Sequence, residues 1–157
     1  MPDDDLLGVQ AELFGSLFVL TQHLTRRTDA ALETLGLTTR QWLLLAVLGK
    51  AFPDRSASLS EAGERYGSSR QNVKQIALGL QARGFLRLVP DAHDGRTTRL
   101  QVTDRVRIFD EPEGQARAAA LLAEAFAGVT PEETLALRDL VLRWLAASTA
   151  MRDTEEG

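Results

Sequence analysis

The chain has 157 residues, of which 44% are hydrophobic and 25% charged, and a formal net charge of −4; this composition fits one globular domain and argues against wholesale disorder. The absence of cysteine excludes a disulfide framework, a thiolate metal site and a thiol-based redox sensor. No apolar run approaches the roughly 18 residues of a membrane helix, and the acidic start at Asp3–Asp5 lacks a basic stretch before an apolar one, so we expect no secretory signal and a cytoplasmic protein.

The first predicted element is a long helix from about Leu6 to Leu35, ended by Gly36. Its apolar residues recur at helical spacing: Leu13, Phe14, Leu17, Phe18, Leu24, Ala31 and Leu35. Residues 38–41 then read as a capping box, with a Thr hydroxyl and the Gln41 amide satisfying free N–H groups. This box starts a second helix through about Lys50, which is apolar on nearly every side and therefore predicted to be buried.

The middle of the chain predicts a short helix, a turn and a second helix. Leu59 suggests a very short strand, and Ser60 a cap for a short helix from about Glu61 to Tyr66. After Gly67, either Ser68 or Ser69 caps the next helix, which runs to about Arg83 and ends at Gly84. These are the proportions of a helix-turn-helix unit.

A β-hairpin is predicted next. Residues 85–89 and 99–103 alternate like strands, and Pro90, Asp91, Asp94 and Gly95 form a turn-rich loop between them. A further helix over Asp104–Ala127 is predicted to break near Pro112, since proline removes a helical hydrogen bond. The last helix starts at Thr130–Glu133, where the cap, a proline at the first position and a glutamate agree.

Charge is segregated along the chain. The 53 residues from Arg55 to Arg107 carry 10 Lys+Arg and 5 Asp+Glu, whereas the remainder carries 8 and 17. A basic middle between acidic ends is what a nucleic-acid-binding module would show, although chance segregation would look the same.

The second helix of the helix-turn-helix unit has the composition of a DNA-reading surface. Val73, Ile76, Ala77 and Leu80 form an inward apolar stripe, and no Asp or Glu occurs from Gly67 to Val89. Amide and basic side chains can bond base edges in the major groove, and hydroxyl groups can bond phosphate. The predicted DNA contacts are Ser68, Ser69, Arg70, Gln71, Asn72, Lys74 and Gln75. A solvated polar face would be the simpler explanation of this helix alone.

The segments at residues 36–42 (GLTTRQW), 68–86 (SSRQNVKQIALGLQARGFL) and 91–103 (DAHDGRTTRLQVT) together resemble the MarR (multiple antibiotic resistance regulator) family. The third contains the family's wing pattern, D-x-x-D-x-R before a strand that ends in threonine. The resemblance implies a mostly α-helical fold with a small β-hairpin wing, in a single domain over residues 1–157. Within it, about 38–103 would be the winged helix-turn-helix, and about 6–35 and 104–151 the dimerisation helices.

The resemblance also implies roles for the wing. Arg96 would enter the minor groove, Asp94 would hold Arg96 by a charge-assisted bond, and Arg99 would contact phosphate. The alternative for Asp94 and Arg96 is a turn-stabilising pair. The sequence departs from the family in the short helix, where Ala62, Gly63 and Tyr66 predict looser packing.

The family's first and last helices pair between subunits, and the leucine-rich ends of this chain are similar. The predicted dimer contacts are Leu6, Leu7, Leu140, Trp144 and Met151, with an intramolecular core as the alternative. A homodimer would bind a pseudo-palindromic double-stranded operator. Since many relatives respond to a small aromatic effector, the candidates for lining an effector pocket are Phe14, Phe18, His23 and Trp42, which would equally suit a core.

An enzyme is not expected, because the chain has no phosphate-binding loop, no H-E-x-x-H and no nucleophile elbow. His23 and His93 lack ligand-like spacing, and we expect neither metal nor cofactor. The predicted function is a sequence-specific DNA-binding transcription regulator, a ligand-responsive repressor acting as a homodimer. The alternative is a winged-helix protein–protein adaptor without DNA binding.

Overall fold

The computed structural model describes the backbone of residues 2–155 and the side chains of residues 5–150. Six α-helices and three strands are found in this part of the chain. They are α1 (Pro2–Leu32), α2 (Thr39–Ala51), β1 (Ala57–Ser58), α3 (Leu59–Tyr66), α4 (Arg70–Ala82), β2 (Leu86–Pro90), β3 (Thr98–Val102), α5 (Pro112–Ala125) and α6 (Pro131–Glu155). Short 3₁₀ helices follow α1 (Glu33–Leu35) and β3 (Asp104–Phe109). The mostly α fold with a small antiparallel sheet confirms the predicted fold class.

The chain divides into two compact units, Met1–Ala118 and Ala119–Gly157. The first unit contains the core, whose buried hydrophobic residues come from Leu32 through Leu100. The second unit contains the end of α5 and all of α6, and most of its described large hydrophobic residues lie at the surface.

The predicted helix ends are confirmed by specific caps. Gly36, Gly67 and Gly84 all have positive φ, a conformation open to glycine at low cost. At the start of α2, the Thr38 hydroxyl accepts from the backbone N–H of Gln41, and the side-chain Oε1 of Gln41 accepts from Thr38 N at 3.1 Å. The Asp29 carboxylate also accepts from Thr39 N (2.7 Å) and from its hydroxyl (2.8 Å), which ties α1 to the start of α2.

The prediction that α2 is buried on nearly every side is wrong. Leu44, Leu45 and Leu48 are buried, but Trp42 is 37% and Leu43 40% exposed. The unit has other elements against only one face of α2, so the remaining apolar side chains stay uncovered.

The predicted start of α3 is also wrong by two residues. Ser58, not Ser60, is the N-cap: its hydroxyl accepts from Glu61 N, and Glu61 Oε2 accepts from Ser58 N at 2.8 Å. Leu59 is therefore the first helical residue, and the short strand is β1. Ser58 is the cap because Glu61 follows it by three residues, so that both hydrogen bonds of the capping box can form.

The small residues of α3 do not loosen it, contrary to expectation. Ala62 is fully buried, and a Cβ added at Gly63 would lie 2.9 Å from the Ser68 carbonyl oxygen. Glycine at this position therefore lets α3 approach the turn before α4 closely. The small residues therefore permit close packing of the helix-turn-helix.

The three strands form one antiparallel sheet in the order β1-β3-β2. Leu88 pairs with Leu100, and Val89 with Arg99. The hairpin β2–β3 with its loop, residues 86–102, is the wing. Because paired residues share a face and neighbours alternate, Leu86 and Leu100 turn to the core, whereas Arg87 and Arg99 share the other face.

The predicted break near Pro112 is confirmed. The 3₁₀ helix ends at Phe109, and α5 begins at Pro112. A Cβ at Gly114 would clash with the Ile108 carbonyl oxygen, so glycine is needed where α5 starts against the preceding 3₁₀ helix. At α6 the predicted cap is also present, since the Thr130 hydroxyl accepts from Glu133 N at 3.2 Å.

Candidate nucleic-acid interface

Helix α4 presents one apolar and one polar face. Its inward side is buried (Val73, Ile76, Ala77, Leu80), whereas Gln71, Lys74 and Gln75 are exposed on the other side. The Ser69 hydroxyl accepts from Asn72 N at 3.1 Å, so Ser69 rather than Ser68 is the cap. The exposed amide and ammonium groups are therefore free of the core and project from a firmly capped helix.

Asn72 is half-buried and bonds two side chains of its own chain. Its Oδ1 accepts from Arg40 Nη2 at 3.0 Å, and its Nδ2 donates to the Ser68 hydroxyl at 2.6 Å. The Tyr66 hydroxyl donates to the Arg40 carbonyl at 3.2 Å. Arg40, which the sequence did not single out, thus joins the turn before α4. No local pattern could place it there, since it lies 32 residues from Asn72.

The wing loop is folded by two aspartates that bond its backbone. Asp91 accepts from the N–H groups of His93 (2.8 Å) and Asp94 (3.0 Å). Asp94 accepts from Arg96 N (3.1 Å) and from the Thr97 hydroxyl (3.0 Å). The expected bond from the Asp94 carboxylate to the Arg96 guanidinium is therefore not found. Asp94 instead accepts from the backbone N–H of Arg96, two residues later, as aspartate side chains do in turns.

A groove of about 280 Å³ lies between the wing, α3 and the first residue of α4. Arg70 and Arg96 both line it, and neither an aspartate nor a glutamate does. The other lining residues are Ser58, Leu59, Ser60, Thr97 and Thr98. Two guanidinium groups with several hydroxyl groups have the chemistry that binds a phosphate.

Arg99, which the sequence predicted to contact phosphate, bonds other residues of the protein instead. Its Nε bonds Asp91 Oδ2 at 2.6 Å, and its Nη1 lies 3.2 Å from Glu61 Oε2 and 3.4 Å from the Ser56 carbonyl. The side chain is only 30% exposed. In this structure Arg99 is an internal ion-pair residue of the wing.

The two carboxylates bonded to Arg99 have strongly lowered pKa values. The Arg55 guanidinium, then the Ser58 N–H, lowers the pKa of Glu61 to about 2. The His93 N–H, then the Arg99 guanidinium and the Asp94 N–H, lowers the pKa of Asp91 to about 2. Both groups therefore remain charged at any physiological pH.

These pKa values predict an acid-sensitive fold. A carboxylate with a pKa of about 2 folded and about 4 unfolded stabilises the fold fully above about pH 5 and loses that contribution towards pH 2. The unfolding free energy, measured by urea denaturation at several pH values, is expected to fall over this range. Glu61→Gln should flatten the dependence. Glu64→Gln is the control, because Glu64 is exposed on the same helix and makes no ion pair among the described residues; an unchanged profile in Glu61→Gln would contradict the assignment.

The four effector candidates do not share a cavity in the described part of the chain. Phe14 and Phe18 contact each other edge to face on α1, with centroids 5.0 Å apart, and both are exposed. His23 lines an open groove with Val19 and Leu20. A different cavity of about 460 Å³ lies between the end of α2 and strands β1 and β3. The sequence missed it because its walls, residues 48–57 and 100–102, are far apart along the chain.

Four of the five predicted dimer contacts are exposed in this chain. Leu6 is 55%, Leu7 66%, Leu140 52% and Trp144 50% exposed, so they do not belong to its core. The side chain of Met151 lies outside the described residues.

Neither a metal site nor a membrane span is found in the described residues. No group of three or more His, Asp or Glu side chains there could hold a metal ion. No described helix is both long and apolar enough to cross a bilayer.

Comparison with known proteins agrees with this geometry. Residues 35–97 match a model of the MarR family. The chain is 28% identical over 121 residues, 77% of this chain and 69% of the other, to the transcriptional activatory protein BadR of Rhodopseudomonas palustris. The matched family segment contains α2, α3, α4 and the wing loop, which are the elements that build the interface.

Solved structures share the fold. A MarR variant from Escherichia coli complexed with operator DNA superposes with a TM-score of 0.73 at 19% identity, over 85% of this chain and 94% of the other. BpsR of Bordetella bronchiseptica, studied for regulation of its DNA binding by 6-hydroxynicotinic acid, gives 0.70 at 21%, over 85% and 98%. A probable transcriptional regulator from Pseudomonas aeruginosa gives 0.68 at 24%, over 82% and 92%.

Residues 35–97 thus match the MarR family, the chain is similar to a curated transcriptional activatory protein, and it has the fold of solved MarR structures.

Proposed function

We propose that two copies of this chain bind a pseudo-palindromic DNA duplex and regulate transcription from it in the cytoplasm. The observation that carries the proposal is that Arg70 and Arg96 line the same groove, which no Asp or Glu lines, beside the exposed polar face of α4. Helix α4 is narrow enough to enter the major groove. The groove beside its first residue would then take a backbone phosphate, which fixes the helix in register.

Base reading is assigned to the exposed face of α4. Gln71 and Gln75 can donate to and accept from an adenine edge, and Lys74 can bond guanine. Ser68 and Ser69 lie at the helix start, where hydroxyl and N–H groups suit phosphate. Asn72 supports the turn through its bonds to Arg40 and Ser68, and it keeps a second N–H and a second lone pair with which it can bond a base.

The wing supplies the second contact. Arg96 is exposed at the loop, and its backbone is held by Asp94. Its guanidinium can reach the minor groove, where the negative potential attracts it. Arg96 is therefore the wing residue with both the exposure and the charge for this contact.

The exposed apolar side chains of α1 and α6 are assigned to a second copy of the chain. Monomeric proteins rarely expose apolar patches of this extent, and Leu7, Phe18 and Leu145 are each more than 60% exposed. A twofold pairing would present two α4 helices to half-sites about 10 bp apart. The dimer thus covers the apolar surface and doubles the reading head.

Regulation by a small aromatic molecule and a repressor role are parts of the same proposal. The effector candidates on α1 and α2 are exposed side chains, as a site completed by a second copy requires. Repression would follow from an operator that overlaps the promoter, whereas the relative BadR is named an activatory protein. A reporter gene behind the selected operator, with and without the regulator, measures the direction.

The proposal is tested by selecting binding sites from random duplexes and titrating the purified protein by fluorescence anisotropy. Saturable binding to an enriched palindrome, much tighter than to a scrambled duplex and weakened by salt, is the expected result. Weak binding without enrichment at low salt would overturn it and favour a protein–protein adaptor.

Arg96→Ala is expected to weaken binding to all sequences and to reduce the slope of log affinity against log salt by about 1, because it removes one cation from the DNA contact. Gln71→Ala should leave that slope unchanged and relax the preference at one base position, at a cost of about 1–3 kcal/mol. Titrations of both variants against the selected operator and its single-base variants measure this. An unchanged slope in Arg96→Ala would contradict the assignment of the wing.

A further inference from the structure

Four charged side chains from separate segments form one connected group, the positioning cluster: Arg55, Glu61, Asp91 and Arg99. Arg55 Nη2 lies 2.7 Å from Glu61 Oε1, Arg99 Nη1 3.2 Å from Glu61 Oε2, and Arg99 Nε 2.6 Å from Asp91 Oδ2. The four come from the loop after α2, from α3, from the start of the wing loop and from β3. Arg99 is the one member that bonds both the wing loop and α3.

The positioning cluster is electrically neutral, since its two guanidinium groups face two carboxylates. Arg99 therefore adds little attraction for a polyanion, even though it lies on the wing. Arg96 differs in this respect, because it forms no ion pair with another described side chain and lines the acid-free groove. Two arginines three residues apart thus have different electrostatic environments.

Both carboxylates also hold backbone that shapes the interface. Asp91 accepts from the N–H groups of His93 and Asp94, which starts the wing loop. Glu61 accepts from Ser58 N at the start of α3, beside the groove. By bonding both, Arg99 connects the loop that carries Arg96 to the helix that lines the opposite wall.

We propose that Arg99 is a positioning residue: it fixes the wing against α3, so that Arg96 and Arg70 face the same phosphate, and it does not itself contact DNA. This inference rests on the proposed function. In this proposal the neutral positioning cluster fixes the position of the wing, and Arg96 and Arg70 supply the affinity for DNA.

A double-mutant cycle on DNA affinity tests the inference. Wild type, Arg96→Ala, Arg99→Gln and the double variant are titrated against the selected operator at several salt concentrations. Arg99→Gln is expected to weaken binding about tenfold, because Arg96 is no longer held against the phosphate, and to reduce the salt slope by no more than Arg96→Ala does. In the Arg96→Ala background the further loss should be less than about twofold, since Arg99 acts through the residue already removed.

A general loss of fold would not produce this pattern, because it would lower affinity by the same factor in both backgrounds. Arg87→Gln is the matched control: Arg87 is exposed on the same face of the sheet as Arg99 and has no ion pair among the described residues, so its variant should bind like wild type. If Arg99→Gln does not fold, Arg99→Lys replaces it, because one ammonium keeps the charge but not the two separately directed donors.

Two results would overturn the inference. Additive losses of affinity, with a salt slope reduced by about 2 in the double variant, would make Arg99 a direct phosphate contact. Unchanged affinity in Arg99→Gln would show that the wing does not depend on the positioning cluster. Failure of the proposed function is distinct, since the wild-type protein itself would then select no operator.

Discussion

Replacing both Leu140 and Trp144 by glutamate is expected to convert the proposed dimer into a monomer and to weaken operator binding at least about a hundredfold. Both side chains are half exposed on α6, and a carboxylate there would have to be buried unpaired in a subunit interface, which is costly. Binding falls steeply because the second reading head loses the high effective concentration that the first one gives it. Sedimentation velocity measures the mass, and anisotropy measures the affinity for one-site and two-site duplexes.

Arg143→Glu is the matched control for this variant. It changes the net charge by the same two units, and the residue lies on α6 about a third of a turn from the centre of the stripe formed by Leu137, Leu140, Val141, Trp144 and Leu145. It should remain dimeric, with little loss of affinity for the two-site duplex. A double glutamate variant that stays dimeric would exclude this stripe from the interface.

Phe85→Ala is expected to lower the unfolding free energy by about 3–5 kcal/mol, a large part of the roughly 5–15 kcal/mol of a typical domain. Phe85 is 0% exposed, stacks on Phe109 with ring centroids 6.0 Å apart, and has Arg105 Cζ 4.9 Å from its ring centroid. Its removal leaves a cavity where the end of α4, the wing and the 3₁₀ helix meet. Urea denaturation at one fixed protomer concentration measures the change, since the stability of a dimer depends on concentration.

Leu78→Ala serves as the comparison, because Leu78 is 40% exposed on α4. Its loss should be below about 1 kcal/mol. A similarly small loss in Phe85→Ala would mean that this junction is not part of the cooperative core.

Local patterns in the sequence predicted most element ends correctly, because these depend on residues within a few positions of one another. The capping box at Thr38 and Gln41, the positive-φ glycines and the break at Pro112 are all interactions between near neighbours in the chain. The start of α3 was misplaced where two serines competed, and the glutamate of the capping box decided between them.

The sequence predicted which residue types form the candidate interface, but not the hydrogen bonds and ion pairs that they make within the protein. The polar face of α4 follows from periodicity, and the exposure of Gln71, Lys74 and Gln75 agrees with it. The partners of Asn72 and Arg99 do not follow, because Arg40 lies 32 residues from Asn72 and Glu61 38 residues from Arg99. A sequence shows that an arginine is charged, but not which carboxylate is folded against it.

The sequence alone therefore determined the order of the elements, the winged helix-turn-helix class and the acid-free polar face of α4, since these are encoded by spacing and composition over short stretches. Only the tertiary structure decided which charges are available to a partner. Folding neutralised Arg99 against Glu61 and Asp91, left Arg96 beside Arg70, and kept the leucines of α1 and α6 at the surface. The physical reason is that ion pairing and burial depend on distances in space, which chain separation does not specify.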